Sequence, residues 1–335
     1  MCGLRTVSQI HQWARSERVS EFLKKHFEIV GIPCYYWLLC LVKKVNPASL
    51  NQCFMRWVQT MMPEEGEEMT LSFDGKTIRS TGAMDGYERP LHILSAHIAE
   101  LGLTLGQQAV VAKSNEIPAL RELLEMLQVE GCMVVADALH CQRETADAIV
   151  VKGAAYLLSV KDNQQTLKDE IAGYVQEETL RKMMDTAMTI EKNGGRIEKR
   201  TAYSTTDISW LDNKEAWTRL SCLGAIHRQC ETKDGLSDEW HYYISSRPLA
   251  ATELLHFARM EWSVESMHWL LDVHFGEDFC RVEDEAAQLN LNMVRKIALN
   301  SIRHFKNLSG NKRAFSKLMF DCLLDPSALL PILQT

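Results

Sequence analysis

The chain holds 10 cysteines but no Cys-x-x-Cys pair, and their spacing is irregular. That pattern argues against a zinc module and for reduced thiols in a cytoplasmic protein. His140, Cys141, His268 and His274 do not repair the deficit, because no cysteine pair at zinc-ligand spacing accompanies them. A Gly-rich phosphate loop, a His-Glu-x-x-His helix, a low-complexity tract and an internal repeat are all missing. The one apolar run that suggests a membrane, Ile29 to Val42, is shorter than the ~20 residues a span needs. It also contains the helix breaker Gly31-Ile32-Pro33, so it is expected in the core. The start, Met1-Cys2-Gly3-Leu4-Arg5, lacks the apolar stretch of a secretory signal. A basic surplus is missing too: 37 Lys and Arg stand against 44 Asp and Glu, a net charge of −7. Nucleic-acid binders usually carry the opposite balance, which weighs against tight nonspecific DNA binding by the chain alone.

What is present is an ordinary globular composition, 46% hydrophobic and 24% charged, over 335 residues. That length suits two domains, or one large domain with an insertion. Residues 1 to about 62 read as helices, with Val7, Ile10, Trp13 and Ala14 on one face. Met62 to Glu68 is polar and turn-like, a candidate linker. Strands are then expected at Met69–Phe73, Leu91–Ile98 and Leu103–Ala112, a helix at Pro118–Leu127, a strand at Met133–Ala136, a helix at Thr145–Val151 and a strand at Tyr156–Val160. That order matches a ribonuclease-H-like α/β topology, a mixed sheet with helices on both faces. A charged helix from Leu167 to Met184 opens a largely β insertion over about 165–250, and helices return at Ala251 to Phe275 and Gln288 to Lys306. Pro326 and Pro331 suggest a loose end. The expected layout is a helical region over 1–66, a catalytic domain over 67–310 and a tail over 311–335.

Three acidic residues stand out. Asp74 ends an apolar run and opens a turn, Asp137 follows Met133-Val134-Val135-Ala136, and Glu265 sits in a helical pattern rich in aromatics. Two aspartates at strand ends plus a glutamate on a late helix is the layout of a two-metal phosphoryl-transfer site, since Mg²⁺ prefers oxygen ligands. In open α/β sheets, ligands bind beyond the carboxyl ends of strands. Blander readings remain open: a turn-forming Asp before Gly, a helix N-cap, a solvated helical Glu. Lys76 and Arg79 are candidate phosphate contacts. Lys161, Asn163 and Gln164 follow a strand and could position DNA backbone or a metal's water. Arg196, Lys199 and Arg200 in the insertion, and Arg295 and Lys296 with Arg303 and Lys306 at helical spacing, are candidate DNA contacts. Trp262 and Trp269 are expected in the core.

Five motifs in order then resemble one family. They are Phe73-Asp74-Gly75-Lys76-Thr77-Ile78-Arg79, Lys113-Ser114-Asn115-Glu116-Ile117-Pro118, Asp137-Ala138-Leu139-His140-Cys141-Gln142, Lys161-Asp162-Asn163-Gln164, and Trp262-Ser263-Val264-Glu265 followed by His268-Trp269-Leu270-Leu271-Asp272-Val273. Together they are similar to the H-repeat-associated insertion-sequence transposases of the Asp-Asp-Glu (DDE) group. The resemblance implies a ribonuclease-H-like core interrupted by a β insertion, use of Mg²⁺ or Mn²⁺, and cleavage and joining of double-stranded DNA at element ends and target. It also implies a homo-oligomer on DNA. By motif match the triad is Asp74, Asp137 and Glu265, with Asp74 bridging two metals and the other two holding one each. The family's helical N-terminal region extends further than this one, so a shortened reading frame is expected. Gly194, Glu261 and His140 depart from the family's more frequent residues, and none of them is in the triad. Rival readings are a nuclease of the same fold that does not transpose, and a truncated remnant that at most binds DNA or another protein.

Overall fold

The computed structural model describes all residues except 64–67, 84–89, 111–115 and 234. Lys113-Ser114-Asn115 and the middle of the expected linker therefore lie outside the described residues. The chain divides into two compact units, neither contiguous in sequence: one comprises Met1–Glu65, Gly75–Lys113 and Glu265–Thr335, the other Gly66–Asp74 and Ser114–Val264. The helical start is α1 (Val7–Ala14), α2 (Glu17–Phe27), α3 (Tyr35–Lys44) and α4 (Pro47–Gln59). The strands β1 (Thr70–Thr77), β2 (His92–Ile98) and β3 (Leu103–Ala109) precede α5 (Glu116–Met126), β4 (Met133–Ala136), α6 (Arg143–Val151) and β5 (Ala155–Val160). The insertion holds α7 (Gln165–Gln176), α8 (Glu178–Arg181), β6 (Asp185–Asn193), β7 (Arg196–Thr205), β8 (Cys222–Thr232) and β9 (Gly235–Ser245). The chain ends in α9 (Ala251–Met260), α10 (Ser263–Phe275), α11 (Glu285–Ser309), α12 (Phe315–Leu324) and α13 (Leu330–Leu333).

The strands form a mixed sheet in the order β3-β2-β1-β4-β5-β9-β8-β7-β6. Strands β1, β4 and β5 are parallel, whereas β2–β3 and all the pairings from β5 onward through β9, β8, β7 and β6 are antiparallel. The first five positions of that order are the strands β1 to β5, arranged as expected of a ribonuclease-H-like core. The insertion is not a separate sheet: β9 pairs with β5 and its neighbours continue outward. Met133-Val134-Val135-Ala136 is buried along its whole length, as a central parallel strand requires. Around it, Val135, Leu157, Ile226, Leu254 and Phe257 make one apolar cluster, each large side chain contributing about 1.5–3 kcal/mol on full burial.

In the other unit, the edge strand β3 is held through its backbone by two asparagine amides. Asn51 on α4 donates to the Gln107 carbonyl at 2.9 Å and accepts from the Gln107 N–H at 3.2 Å. Asn300 on α11 does the same for Thr104, at 2.8 and 3.0 Å. These contacts occupy polar groups that an open edge would offer to another chain. Helix α11 starts at an Asp284 cap that accepts from the Ala287 N–H and stops at Gly310, whose φ of +63° suits glycine.

Two expectations are corrected. The C-terminus is not loose, because Leu318, Met319, Cys322, Leu329 and Ile332 are buried. The Ile29–Val42 run is not core either: Val30, Tyr36 and Trp37 are 84%, 74% and 51% exposed. Leu38, Leu39 and Val42 turn toward Val7, Cys280 and Leu291. An all-round apolar helix with one packed side leaves the other in water.

Candidate active site

The register of β1 and β4 positions the first two acidic residues. Phe73 pairs with Ala136 on these adjacent parallel strands. The next residue on each strand is an aspartate, Asp74 half-buried and Asp137 exposed. Asp74 does not open a turn, since β1 runs on to Thr77, with the Ile78 N–H bonded to the Leu91 carbonyl at 2.8 Å. Asp137 does act as an N-cap: its Oδ1 accepts from the Leu139 N–H at 3.1 Å and opens the short 3-10 turn Ala138–His140. The cap holds the carboxyl in place without burying it.

The residues after β5 support that same turn. Asn163 Nδ2 donates to the Ala138 carbonyl at 2.6 Å, and Gln164 Nε2 donates to the Cys141 carbonyl at 3.0 Å. Their amides therefore tether the segment after Asp137. Lys161 is exposed at the end of β5. Cys141 is fully buried there, and burial pushes its thiol up to about 12, so it is no nucleophile.

Glu265 is exposed in the first turn of α10. The unit boundary falls just before it, so it belongs with the other unit. Among the described residues, no group of three or more His, Cys, Asp or Glu side chains stands close enough to hold a metal ion. Just ahead of Glu265, Ser263 Oγ lies 3.1 Å from Ser72 Oγ on β1.

The family described as Transposase DDE domain matches residues 65–301. The chain belongs to the DDE transposases. It is 33% identical over 297 residues to "Putative transposase YncI" of Escherichia coli O157:H7, covering 87% of this chain and 76% of that one. It is 30% identical over 311 residues to "H repeat-associated putative transposase YhhI" of Escherichia coli K12, covering 90% and 82%. Among solved structures, a piggyBac transposase synaptic complex with hairpin DNA is similar at a TM-score of 0.42 and 10% identity, over 79% of this chain and 54% of that one.

Not all the basic residues expected to meet DNA in this transposase are available to do so. Lys76 Nζ lies 2.5 Å from Asp272, 2.6 Å from Glu277 and 3.7 Å from Asp278. Burial works to lower its pKa, but the charges and hydrogen bonds of Glu277 and Asp272 outweigh this and hold it above the usual lysine value. Its charge balances Glu277, which is 1% exposed, rather than a phosphate. Arg79, on the same carboxylate group through Asp278 at 3.6 Å, keeps an 87% exposed side chain.

Arg295 and Lys296 are 7% and 1% exposed, which corrects their assignment to a DNA-facing surface. Lys296 Nζ donates to Ser95 Oγ and Gln107 Oε1, both at 2.8 Å. Burial pushes its pKa down to about 7 despite the opposing pull of Glu277. Helical spacing alone could not distinguish this buried polar seam from a surface stripe.

In the insertion, Arg196 and Arg200 both pair with Glu198, itself 4% exposed. Arg228 on β8, a residue the sequence reading missed, joins them at 2.8 Å and reaches Glu239 at 3.0 Å. Only the strand register, which sets Arg200 opposite Arg228, reveals it. Lys199 is half-buried. Trp262 and Trp269 are 45% and 59% exposed rather than core. The buried face of α10 is instead Val264, Met267, Leu271 and Phe275, and the Arg200 guanidinium lies 5.8 Å from the Trp262 ring centroid. Among the described residues, no helix is long and apolar enough to cross a membrane.

Proposed function

We propose that this chain catalyses divalent-metal-dependent cleavage and transfer of DNA strands at the ends of its element, with Asp74, Asp137 and Glu265 as the metal-holding carboxylates. The observation that carries the reading is the Phe73–Ala136 register, which makes the next residue on two neighbouring parallel strands an aspartate. Two carboxylates just past the last paired residues of β1 and β4 suit a hard cation such as Mg²⁺ or Mn²⁺, and Glu265 is an exposed third oxygen donor. Bound there, the metal would supply charge stabilisation at the attacked phosphate. The chain's own contribution is positional. The Leu139 N–H orients the Asp137 carboxyl, and Asn163 and Gln164 hold the turn that carries it.

Arg79 and Lys161, both exposed, are proposed to contact the DNA backbone, and Arg196, Lys199 and Arg200 to add a weaker basic face on the insertion. Assembly of two or more copies on paired ends is proposed as well. The apolar side chains that α3 leaves in water, Tyr36 and Trp37 among them, favour it. The test is cleavage of supercoiled plasmid carrying the element's own ends, with and without Mg²⁺, beside Asp137→Ala. Metal-dependent nicking that the variant loses supports the reading. Absence of cleavage by folded protein with metal overturns it.

A further inference from the structure

A cavity of about 350 Å³ opens within the unit that contains the chain's start, a size in the range of small-molecule pockets. Trp13, Tyr35, Leu39, Phe275 and Leu291 give it apolar walls. Three arginines also line it, Arg5, Arg281 and Arg295, and none of its lining residues is acidic. Arg295 is the informative one. It projects from α11 with only 7% of its surface exposed, and its Nη1 is buried with no hydrogen-bond partner among the described residues. Arg5 is partly committed, donating through Nη2 to the Val273 carbonyl at 2.8 Å.

A buried cation without a counter-ion is costly. A lysine could relieve the cost by losing its proton, whereas a guanidinium cannot. What lowers the free energy of this arrangement is an anion, and the planar guanidinium fork matches a carboxylate. The apolar walls select a ligand whose remainder is hydrocarbon or aromatic.

We propose that this cavity is a binding site for a small organic carboxylate with an apolar body, its carboxylate on Arg295 and its body against Trp13 and Phe275. The site uses none of the residues assigned to strand cleavage, so it stands or falls independently of that assignment.

The test is calorimetric titration of the full chain with octanoate and with octanol, which shares the chain length and lacks the charge. Octanoate is expected to bind one to one, at least about tenfold tighter than octanol, since hydrogen bonds to charged groups are the stronger kind. Arg295→Met is expected to weaken octanoate about ten- to a hundredfold and to leave octanol unchanged. Equal binding of the two ligands, no saturable octanoate binding, an Arg295→Met variant that binds octanoate normally, or displacement of octanoate by a short DNA duplex would each overturn the proposal. Should Arg295→Met fail to fold, Ala298→Phe fills the cavity and keeps the arginines. It is expected to abolish octanoate binding, and retained binding would overturn the site.

Discussion

Asn163 Nδ2 donates to the Ala138 carbonyl at 2.6 Å, joining the end of β5 to the residue that follows Asp137. A side chain 26 positions further along the chain than Asp137 therefore holds the turn that aims the carboxyl group. Asn163→Ala removes the donor and leaves the carbonyl to water. A loss of about 1 kcal/mol in stability is expected, as for one hydrogen bond. If the turn carries a metal-holding carboxylate, as proposed, nicking should fall by about tenfold or more. Urea unfolding and the plasmid assay, run on the same preparation, read the two effects separately.

One substitution separates the observed cap at Asp137 from its proposed metal-holding role. Asn is as good an N-cap as Asp, so Asp137→Asn keeps the acceptor for the Leu139 N–H and removes only the charge. Stability should change by less than about 0.5 kcal/mol. Strand cleavage should fall by about a thousandfold or more, the scale of several kcal/mol of lost charge stabilisation. Unchanged cleavage in this variant would reduce Asp137 to a cap.

Lys76 is bound to a buried carboxylate, so its removal is expected to act on the fold. Lys76→Met leaves Glu277 buried, with Asn292 Nδ2 as a remaining donor. Breaking such a pair costs about 3–5 kcal/mol. A fall of that size in urea unfolding is the expected outcome. An unchanged midpoint with weakened DNA binding would return Lys76 to the phosphate-contact role.

Arg79 is expected to behave in the opposite way, with an 87% exposed side chain. Arg79→Ala should leave stability within about 0.5 kcal/mol. It should also reduce the slope of log affinity against log salt by about one. Fluorescence anisotropy with an element-end duplex at several salt concentrations provides the measurement.

Lys296 links stability to pH. Its pKa falls from 10.5 to about 7 on burial among Ser95, Gln107, Glu277 and Lys76. Between pH 7 and 10.5 the unfolded chain then binds a proton that the folded chain does not. Stability contributed by this group therefore rises with pH through that window, by up to about 1.4 kcal/mol per pH unit. Below pH 7 the destabilisation is fully present. Urea titrations of the unmodified protein and Lys296→Met at pH 7 and pH 9 should diverge in that direction.

What the sequence determined by itself is the element order and the acidic motifs. Apolar runs such as Met133–Ala136 mark buried strands because no other setting hides both faces of a strand. Leu120, Leu123, Leu124 and Leu127 marked a helix face in the same way, and all are buried. Asp74 and Asp137 were legible because each ends such a run. Tertiary structure alone decided which charges are available. Lys76, Arg79, Arg295 and Lys296 look alike as letters, yet Arg79 is 87% exposed while Lys296 is 1% exposed. A charge is hidden or shown by its distant partners, here Glu277 for Lys76 and Ser95 with Gln107 for Lys296. Those partners lie about 190 to 200 positions away, beyond the reach of any local pattern. The same long-range packing left Trp262 and Trp269 in water and enclosed Arg295 in an apolar cavity.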